Sequence, residues 1–307
     1  MQPSPVTPIG IKPSRLVLPN DKQFIGRSLL DFLVQHFSHI PPHTWQARFE
    51  EGLITNEAGE SLALDTPYQV GQTVLYYRHV DNEPIIPFEP TILHLDEHLL
   101  VVDKPHFLPV TPTGQYVSQT VLAKLRIHAD LQHLMVNDIS PIHRLDKDTA
   151  GVMLLSVNPA TRTHYQSLFE KKVVKKTYHA IAPTRTDLAY PYKIASKLGR
   201  GEPFFLTQTL EGEPNSFTTI ELLQPLTQYG GEFSLYRLTP LTGKKHQLRV
   251  HMASLGMPLL NDNFYPVVKN QGITNFANPL KLLAQSIEFI DPITGKNRLF
   301  HSGLSLF

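Results

Sequence analysis

The hydrophobic positions of the chain recur with two different periods. In IGRSLLDFLVQHF and KHQLRVHMASLG the apolar residues recur at helical spacing, which predicts two helices. In VVKKTYHAIA they alternate, which places Lys176 and Tyr178 on one face of a predicted strand and Lys175 on the other. GVMLLSV and HLLVVDKP are short apolar runs typical of buried strands. Because helices and strands intermix without a regular βαβ repeat, the pattern predicts an α+β fold with a large, mostly antiparallel mixed sheet flanked by helices.

Proline-rich and polar segments divide the chain into parts. We expect an irregular tail over residues 1–24 and a small α+β module over residues 25–80. A linker follows over residues 81–90, where DNEPIIPFEP contains three prolines, and a large domain covers residues 91–307. A chain of 307 residues that is 41% hydrophobic can bury a substantial core.

The composition excludes several kinds of site. The chain has no cysteine, so disulfides, thiolate zinc sites and cysteine nucleophiles are absent. The opening MQPSPVTPIG lacks the apolar core of a signal peptide, and no apolar run approaches the roughly 18 residues of a membrane span. We therefore expect a cytoplasmic protein without a membrane partner. GxSxG, Walker and GxGxxG motifs are also missing, which removes the usual signatures of hydrolases and nucleotide-binding proteins.

Positive charge is concentrated in one part of the chain. The net charge of the whole chain is +1, which by itself indicates no polyanionic partner. Residues 1–80 contain six Lys and Arg against seven Asp and Glu, whereas residues 141–180 contain seven against three. Any nucleic-acid site is therefore expected around the second window.

The segment HRLDKDTAG, residues 143–151, interleaves acids with cations directly before the apolar run GVMLLSV. Asp146 therefore precedes a predicted buried strand, from which a rigid scaffold can present a functional side chain. Two interpretations stay open: a structural ion pair among Arg144, Asp146 and Lys147, or a functional carboxylate. Asp148 is expected to form a turn or a cap rather than a second catalytic acid.

Tyr178 and Arg249 are the other candidates for chemistry. Tyr178 either fills the core or provides a stacking surface for a base. Arg249 lies next to the apolar stripe of its predicted helix, where it either contacts a phosphate or the surface, or holds a carboxylate in a bidentate pair that lowers the pKa of that acid. Four lysines favour the stacking role of Tyr178 because they supply charge for phosphates: Lys171, Lys172, Lys175 and Lys176.

The segment HRLDKDTAGVMLLS resembles the signature of the RluA-type family of RNA pseudouridine synthases. Three further segments resemble other motifs of that family, in the same order: HLDEHLLVVDKPHFLPVTP, KKTYHAIA and LTGKKHQLRVHMASLGMPLLNDNFYP. Together the four cover about residues 92–266. Residues 25–80 faintly resemble the small RNA-binding module that often precedes this catalytic domain.

The resemblance implies a pseudouridine-synthase-like catalytic domain that isomerises uridines in ribosomal or transfer RNA without a cofactor. Asp146 matches the family's essential aspartate, Tyr178 its active-site tyrosine and Arg249 the arginine that pairs with the aspartate. The expected partner is RNA, and the protein is expected to be a monomer without a metal. The residues expected to bind RNA are Arg144, Lys147, Lys171, Lys172, Lys175, Lys176, Lys244, Lys245 and His246.

The chain departs from the family's pattern in two of its motifs. Soon after Lys-Pro the family has glycine, and here His106-Phe107 follow. In the last motif Lys244-Lys245 replace the usual Arg-Thr, which keeps cationic charge but loses the planar bidentate geometry of arginine. The usual Gly-Asp of that motif is Asn261-Asp262.

Two rival functions from other classes remain. One is a non-catalytic RNA-binding protein on the same fold, against which the intact set of Asp146, Tyr178 and Arg249 argues. The other is a metal-dependent hydrolase that would use His143, Asp146, Asp148 and His246. A helical zinc pair is not expected, because His246 and His251 are five residues apart rather than the four of HExxH.

Overall fold

A computed structural model describes residues 11–78, 80, 82–132, 134, 138–269 and 275–307. The helices are α1 Leu29–His36, α2 Pro42–Glu50, α3 Val121–Arg126, α4 Arg162–Glu170 and α5 Gln247–Ser254. The strands up to the signature segment are β1 Ser14–Val17, β2 Ile54–Thr55, β3 Thr73–Tyr76, β4 Thr91–Leu95, β5 Leu99–Lys104 and β6 Ser140–Pro141. The strands that follow are β7 Ala150–Ser156, β8 Lys175–Pro183, β9 Tyr192–Arg200, β10 Thr207–Leu210, β11 Ser216–Pro225, β12 Phe233–Pro240, β13 Leu282–Ile290 and β14 Asn297–His301.

In the described residues, eleven strands form one large sheet. Its order is β10-β9-β11-β12-β8-β13-β7-β5-β4, with β14 paired to β13 and β6 paired to β7. The pairing of β13 with β7 is parallel, and the other described pairings in this sheet are antiparallel. The prediction of an α+β fold with a large, mostly antiparallel mixed sheet is confirmed. The described residues contain no helix of the length and apolarity needed to cross a membrane.

The strand β13 brings two distant segments of the chain together. It lies between β7, which directly follows the signature segment, and β8, which carries Tyr178. Ala284 of β13 pairs with Gly151 on one side and with Tyr178 on the other. Because neighbouring strands lie about 4.8 Å apart, the backbones of Gly151 and Tyr178 are about 10 Å apart.

Gly151 is required by this close strand packing. Its φ angle is 115°, which side chains rarely adopt, and an added Cβ would lie 2.3 Å from the carbonyl oxygen of Ala284. A side chain at this position would push β13 away from β7. The glycine of HRLDKDTAG therefore permits the close packing of β7 and β13 in the sheet.

The small N-terminal module begins earlier than predicted. β1, β3 and β2 form a three-stranded antiparallel sheet, and α1 and α2 pack on it through a core that includes Phe32, Trp45 and Val74. Phe24 is buried in the same core, so the prediction of an irregular tail over residues 1–24 is wrong from residue 14 onward. The cause is tertiary, because a four-residue strand depends on its pairing with β3 about sixty positions later. Residues 1–10 lie outside the described residues.

The segment predicted as a linker packs against the large domain. The carboxylate of Glu83 accepts hydrogen bonds from the backbone amides of Val117, Ser118 and Gln119, at 2.6, 2.9 and 2.7 Å. Ile86 is buried in the apolar cluster that contains β5 and α3 residues. Residues 82–90 are thus an ordered connection, since a carboxylate satisfies three amides that would otherwise lack partners.

Replacing Gly151 with alanine should lower the free energy of unfolding by at least about 2 kcal/mol, because the added methyl group overlaps the backbone of β13. Gly295→Ala is the matched control, since Gly295 has a φ of 71° and no atom within 4 Å of an added Cβ. Urea denaturation, monitored by circular dichroism, measures the free energy of unfolding of both variants. Equal losses would show that the strain at positive φ, and not the approach of β13, requires the glycine.

Candidate active site

The three predicted catalytic residues line one cavity. Asp146 lies just before β7, Tyr178 lies on β8 and Arg249 lies in the first turn of α5, and all three face a cavity of about 700 Å³. Asp146 is half-buried, so part of its side chain is open to this cavity. The structure therefore assembles from three separate motifs the set that the sequence predicted.

Two residues of the segment HLDEHLLVVDKPHFLPVTP fix the backbone of the loop that carries Asp146. The fully buried ammonium group of Lys104 donates hydrogen bonds of 2.9 Å to the carbonyl oxygens of Pro105, Leu108 and Lys147. The Nδ1–H of His106 donates to the carbonyl oxygen of Asp148 at 2.6 Å. Burial lowers the pKa of His106 to about 4, so the ring is neutral. The candidate site residues predicted from the sequence did not include Lys104 and His106, although both stand in a recognised motif.

Both departures from the family's glycines have a left-handed backbone. Phe107 has a φ of 67° and Asn261 a φ of 63°, in the region that glycine adopts freely. Asparagine tolerates this region well, whereas a bulky residue such as Phe107 needs stabilising contacts that offset the strain of its backbone. The ring of Phe107 packs against the rings of Phe88 and Phe276, with centroids 6.2 and 5.2 Å apart. Aromatic packing therefore accompanies the strained backbone at this loop.

Arg249 holds a carboxylate in a bidentate pair, but this carboxylate belongs to Asp262. The Nε and Nη2 atoms of Arg249 donate to the two carboxylate oxygens of Asp262 at 2.8 and 2.6 Å. The side chains are 1% and 0% exposed. The guanidinium also lies over the rings of Phe264 and Tyr265, at 4.8 and 5.4 Å from their centroids. The expected direct pair of Arg249 with Asp146 is thus corrected: Asp262 fixes the arginine, which acts on Asp146 through its charge.

The surroundings of Asp146 favour the protonated carboxyl group. Burial raises its pKa, and the positive charges of Arg249, Arg144, Lys104 and Lys245 oppose this effect without overcoming it. Arg249 lowers this pKa, as expected, but through its charge rather than through a direct pair, and the desolvation of the carboxylate outweighs its effect.

The structural ion pair proposed for the signature segment is not formed. Among the described salt bridges, Asp146 pairs with neither Arg144 nor Lys147. Lys147 instead approaches Asp148 at 3.8 Å. Its ammonium group also lies 5.5 Å from the centroid of the Tyr116 ring. The carboxylate of Asp146 is therefore not committed to a structural partner in the described part of the chain.

Tyr178 packs against the two largest apolar clusters of the described residues. Its ring is half-buried and lines the cavity beside Asp146. Burial and the negative charge of Asp146 raise the pKa of its hydroxyl, so the hydroxyl stays protonated. The ring is thus anchored by packing while one side faces the cavity.

The residues predicted to bind RNA fall into two groups. Those that line the cavity are Arg144, Lys172, Lys176, Lys244, Lys245 and His246, and those that do not are Lys147, Lys171 and Lys175. Lys175 lies 3.3 Å from Glu288, on the strand face opposite Lys176, so it does not share the cavity with Tyr178. His246 lines the cavity but is 7% exposed, and its Nδ1 is hydrogen-bonded to the hydroxyl of Tyr265 at 2.8 Å. Burial lowers the pKa of His246 to about 3, so it contributes no positive charge at neutral pH.

The cavity wall nevertheless carries excess positive charge. Among the described lining residues, six Lys and Arg face two carboxylates. The cations are Arg144, Lys172, Lys176, Lys244, Lys245 and Arg249, and the carboxylates are Asp146 and Glu170. A wall of this charge favours an anionic ligand over a cationic one.

The four residues of the rival metal site do not form one. The described residues contain no group of three His, Asp or Glu side chains that could hold a metal ion. The Nε2 of His143 accepts the backbone amide of Leu154 at 3.0 Å, and its ring stacks on Phe169. The rival hydrolase therefore lacks a ligand set in this part of the chain.

Comparison with known proteins agrees with this arrangement. Residues 98–254, about half of the chain, match the family described as RNA pseudouridylate synthase. The chain belongs to this family. The matched residues include the signature segment, Tyr178 and Arg249. The enzyme class is therefore that of an RNA pseudouridine synthase, an isomerase.

Individual relatives support the assignment. An uncharacterized RNA pseudouridine synthase of Synechocystis sp. is 32% identical over 242 residues, which cover 77% of this chain and 79% of that protein. The mitochondrial tRNA pseudouridine(32) synthase of Saccharomyces cerevisiae is 25% identical over 78% of this chain and 50% of its own length. The solved structure of human RNA pseudouridylate synthase domain containing 1 has a TM-score of 0.57 at 23% identity, and covers 72% of this chain and 85% of its own. This last likeness shows a shared fold.

Replacing Asp262 with alanine should lower the free energy of unfolding by about 3–5 kcal/mol, because it leaves the buried guanidinium of Arg249 without its partner. Asp187→Ala is the matched control: Asp187 pairs with Arg185 at 2.6 Å, but its side chain is 63% exposed, and the expected loss is below about 1 kcal/mol. Urea denaturation measures both losses. A loss below 1 kcal/mol for Asp262→Ala would contradict its role as the anchor of Arg249.

Proposed function

We propose that this protein converts specific uridines of structured ribosomal or transfer RNA into pseudouridine, with Asp146 as the reacting carboxylate and without a cofactor. The observation that carries this proposal is the single cavity in which Asp146, Tyr178 and Arg249 meet inside a cationic wall. In this proposal the protein acts as a monomer and needs no metal.

The reaction exchanges one bond for another on the same nucleotide. The bond between C1′ of the ribose and N1 of uracil breaks, the base turns, and C1′ bonds to C5. The proton of C5 is released to solvent and N1 gains a proton, so no electrons enter or leave. Asp146 either attacks C1′ or removes the C2′ proton, and a kinetic isotope effect from deuterium at C2′ separates the two routes.

The environment of Asp146 suits this chemistry. Because burial leaves the ionised carboxylate poorly solvated, its charge is available to the ribose, which gains positive character as the glycosidic bond breaks. The charge of Arg249, held in place by Asp262, favours the ionised form and opposes the effect of burial on the pKa of Asp146. Removal of the arginine charge would favour the protonated and unreactive carboxyl group.

The target uridine has to leave its stack before it can reach the cavity. This extrusion costs a few kcal/mol and is least costly in loops, which favours a structured loop as the substrate. Tyr178 offers an anchored aromatic ring beside Asp146 on which the extruded uracil can stack. The cations of the wall contact the flanking phosphates.

The decisive experiment measures the release of tritium from C5 of uridine in ribosomal and transfer RNA transcripts, in the presence of a chelator. The native protein should release tritium, and Asp146→Asn should release none, because an amide neither attacks the ribose nor removes its proton. Release by the native protein that stops on chelation would contradict a metal-independent enzyme. RNA binding without release from any RNA would favour the non-catalytic RNA-binding protein.

Circular dichroism and RNA binding are the controls for Asp146→Asn. Because the pKa of Asp146 is raised in the folded state, its ionised form destabilises the fold at neutral pH, and the neutral amide should not lower the unfolding temperature. RNA affinity should also stay close to that of the native protein. An unfolded variant would instead support a structural role for the carboxylate.

Lys176→Ala should weaken RNA binding and reduce the slope of log K against log salt by about 1, because Lys176 lines the cavity. Lys175→Ala is the matched control and should leave the slope almost unchanged, since this lysine lies beside Glu288. Filter binding over a series of salt concentrations measures both slopes. Equal slopes for the two variants would mean that RNA does not distinguish the two strand faces.

A further inference from the structure

Two large apolar side chains are exposed at the edge of the cavity. Phe217 of β11 is 36% exposed and Leu241, next to the end of β12, is 52% exposed, and both line the cavity. The neighbours of Phe217 on its strand, Ser216 and Thr218, are 0% and 3% exposed, so the ring is the outward member of a buried strand segment. Exposed apolar surface at a cavity edge marks a contact surface for a ligand or partner.

The backbone beneath these two side chains is firmly held. The amide of Leu241 donates to the carbonyl oxygen of Phe217 at 3.0 Å, and the amide of Phe217 donates to Oγ1 of Thr242 at 3.0 Å. The side chain of Gln247 donates to the carbonyl oxygen of Phe217 and accepts from Thr242. Lys176 donates to the carbonyl oxygen of Thr242 at 3.1 Å. A ring on such a fixed backbone loses little conformational freedom when a ligand stacks on it.

The size and charge of the cavity indicate which ligand this is. Its volume of about 700 Å³ lies within the range of roughly 300–1,000 Å³ that holds a whole drug-sized ligand, and it exceeds what one uracil ring requires. The exposed cations Lys244 and Lys245 line the same edge and follow Leu241 closely in the chain. An aromatic surface beside cations matches a nucleobase with its phosphates.

We propose that Phe217 and Leu241 form a second base site, on which a nucleotide adjacent to the target uridine stacks while the uridine occupies the site of Asp146 and Tyr178. This inference rests on the proposed function and adds a substrate requirement to it: the enzyme takes up two successive bases, both removed from their stacks. Phe217 and Leu241 therefore contribute to the choice of the uridine through its neighbour.

The test is a double-mutant cycle, in which substitutions in the protein are combined with removal of single bases from the RNA. The probe is a synthetic hairpin containing a uridine mapped by tritium release and sequencing, together with two versions that have an abasic nucleotide on the 5′ or the 3′ side of that uridine. Dissociation constants are measured in the Asp146→Asn background, and KM and kcat in the otherwise native protein. The variants are Phe217→Ala, Phe217→Tyr and Leu241→Ala. Leu299→Ala is the control, an exposed leucine of β14 that does not line the cavity.

Phe217→Ala should weaken binding of the complete hairpin about tenfold and raise KM similarly, with kcat within about twofold of the native value. Phe217→Tyr should retain the affinity, because it keeps the ring. With one of the two abasic hairpins, Phe217→Ala should cause no further loss, because the stacking partner is already missing. Leu241→Ala should show a smaller loss with the same dependence, and Leu299→Ala should show none.

The contrary results separate this inference from the proposed function. If the native protein releases tritium but Phe217→Ala binds normally, or loses the same factor with all three hairpins, the second base site is overturned and the enzyme activity stands. If the native protein modifies no RNA, the proposed function fails and the inference fails with it. A fall in kcat with an unchanged KM would assign Phe217 to the chemical step and would also overturn a stacking role.

Discussion

The insertion of β13 between β7 and β8 is the constraint on which the site depends. Ala284 pairs with Gly151 on one side and Tyr178 on the other, so residues of three strands that are far apart in the chain lie side by side across the sheet. The signature segment ends where the parallel pair begins, and Asp146 is thereby presented beside the strand that carries Tyr178. No side chain larger than hydrogen fits at Gly151 without separating these strands. The sequence requirement for glycine in the signature thus has a backbone cause.

The electrostatics of the site are dominated by the cost of burying the carboxylate of Asp146. A carboxylate surrounded by protein is costly when ionised, and the pKa of Asp146 is raised despite four nearby cations. Its ionised form therefore weakens the fold as the pH rises through this raised pKa. The fold compensates by fixing the surrounding groups: Asp262 holds Arg249, and Lys104 and His106 hold the loop backbone. Each of these partners holds in place a group that lies near Asp146.

The N-terminal module and the loops show where local sequence is insufficient. β1 is four residues long, and it exists because β3 pairs with it. Phe107 and Asn261 both adopt left-handed backbones, yet only asparagine is a residue type that suggests this conformation from sequence. Phe107 adopts it in a loop where its ring packs against two others. Such positions depend on contacts that no local pattern encodes.

The sequence by itself determined the fold class and the order of the main elements, and it named Asp146, Tyr178 and Arg249 as candidates that the structure places around one cavity, because periodicity and motifs are local properties. The tertiary structure decided which carboxylate Arg249 binds, which of two adjacent lysines faces the cavity, and in which direction the pKa of Asp146 moves. These outcomes depend on distances and burial between segments far apart in the chain. The spacing of residues along the chain contains no information on desolvation. Desolvation is the largest influence on the pKa of Asp146.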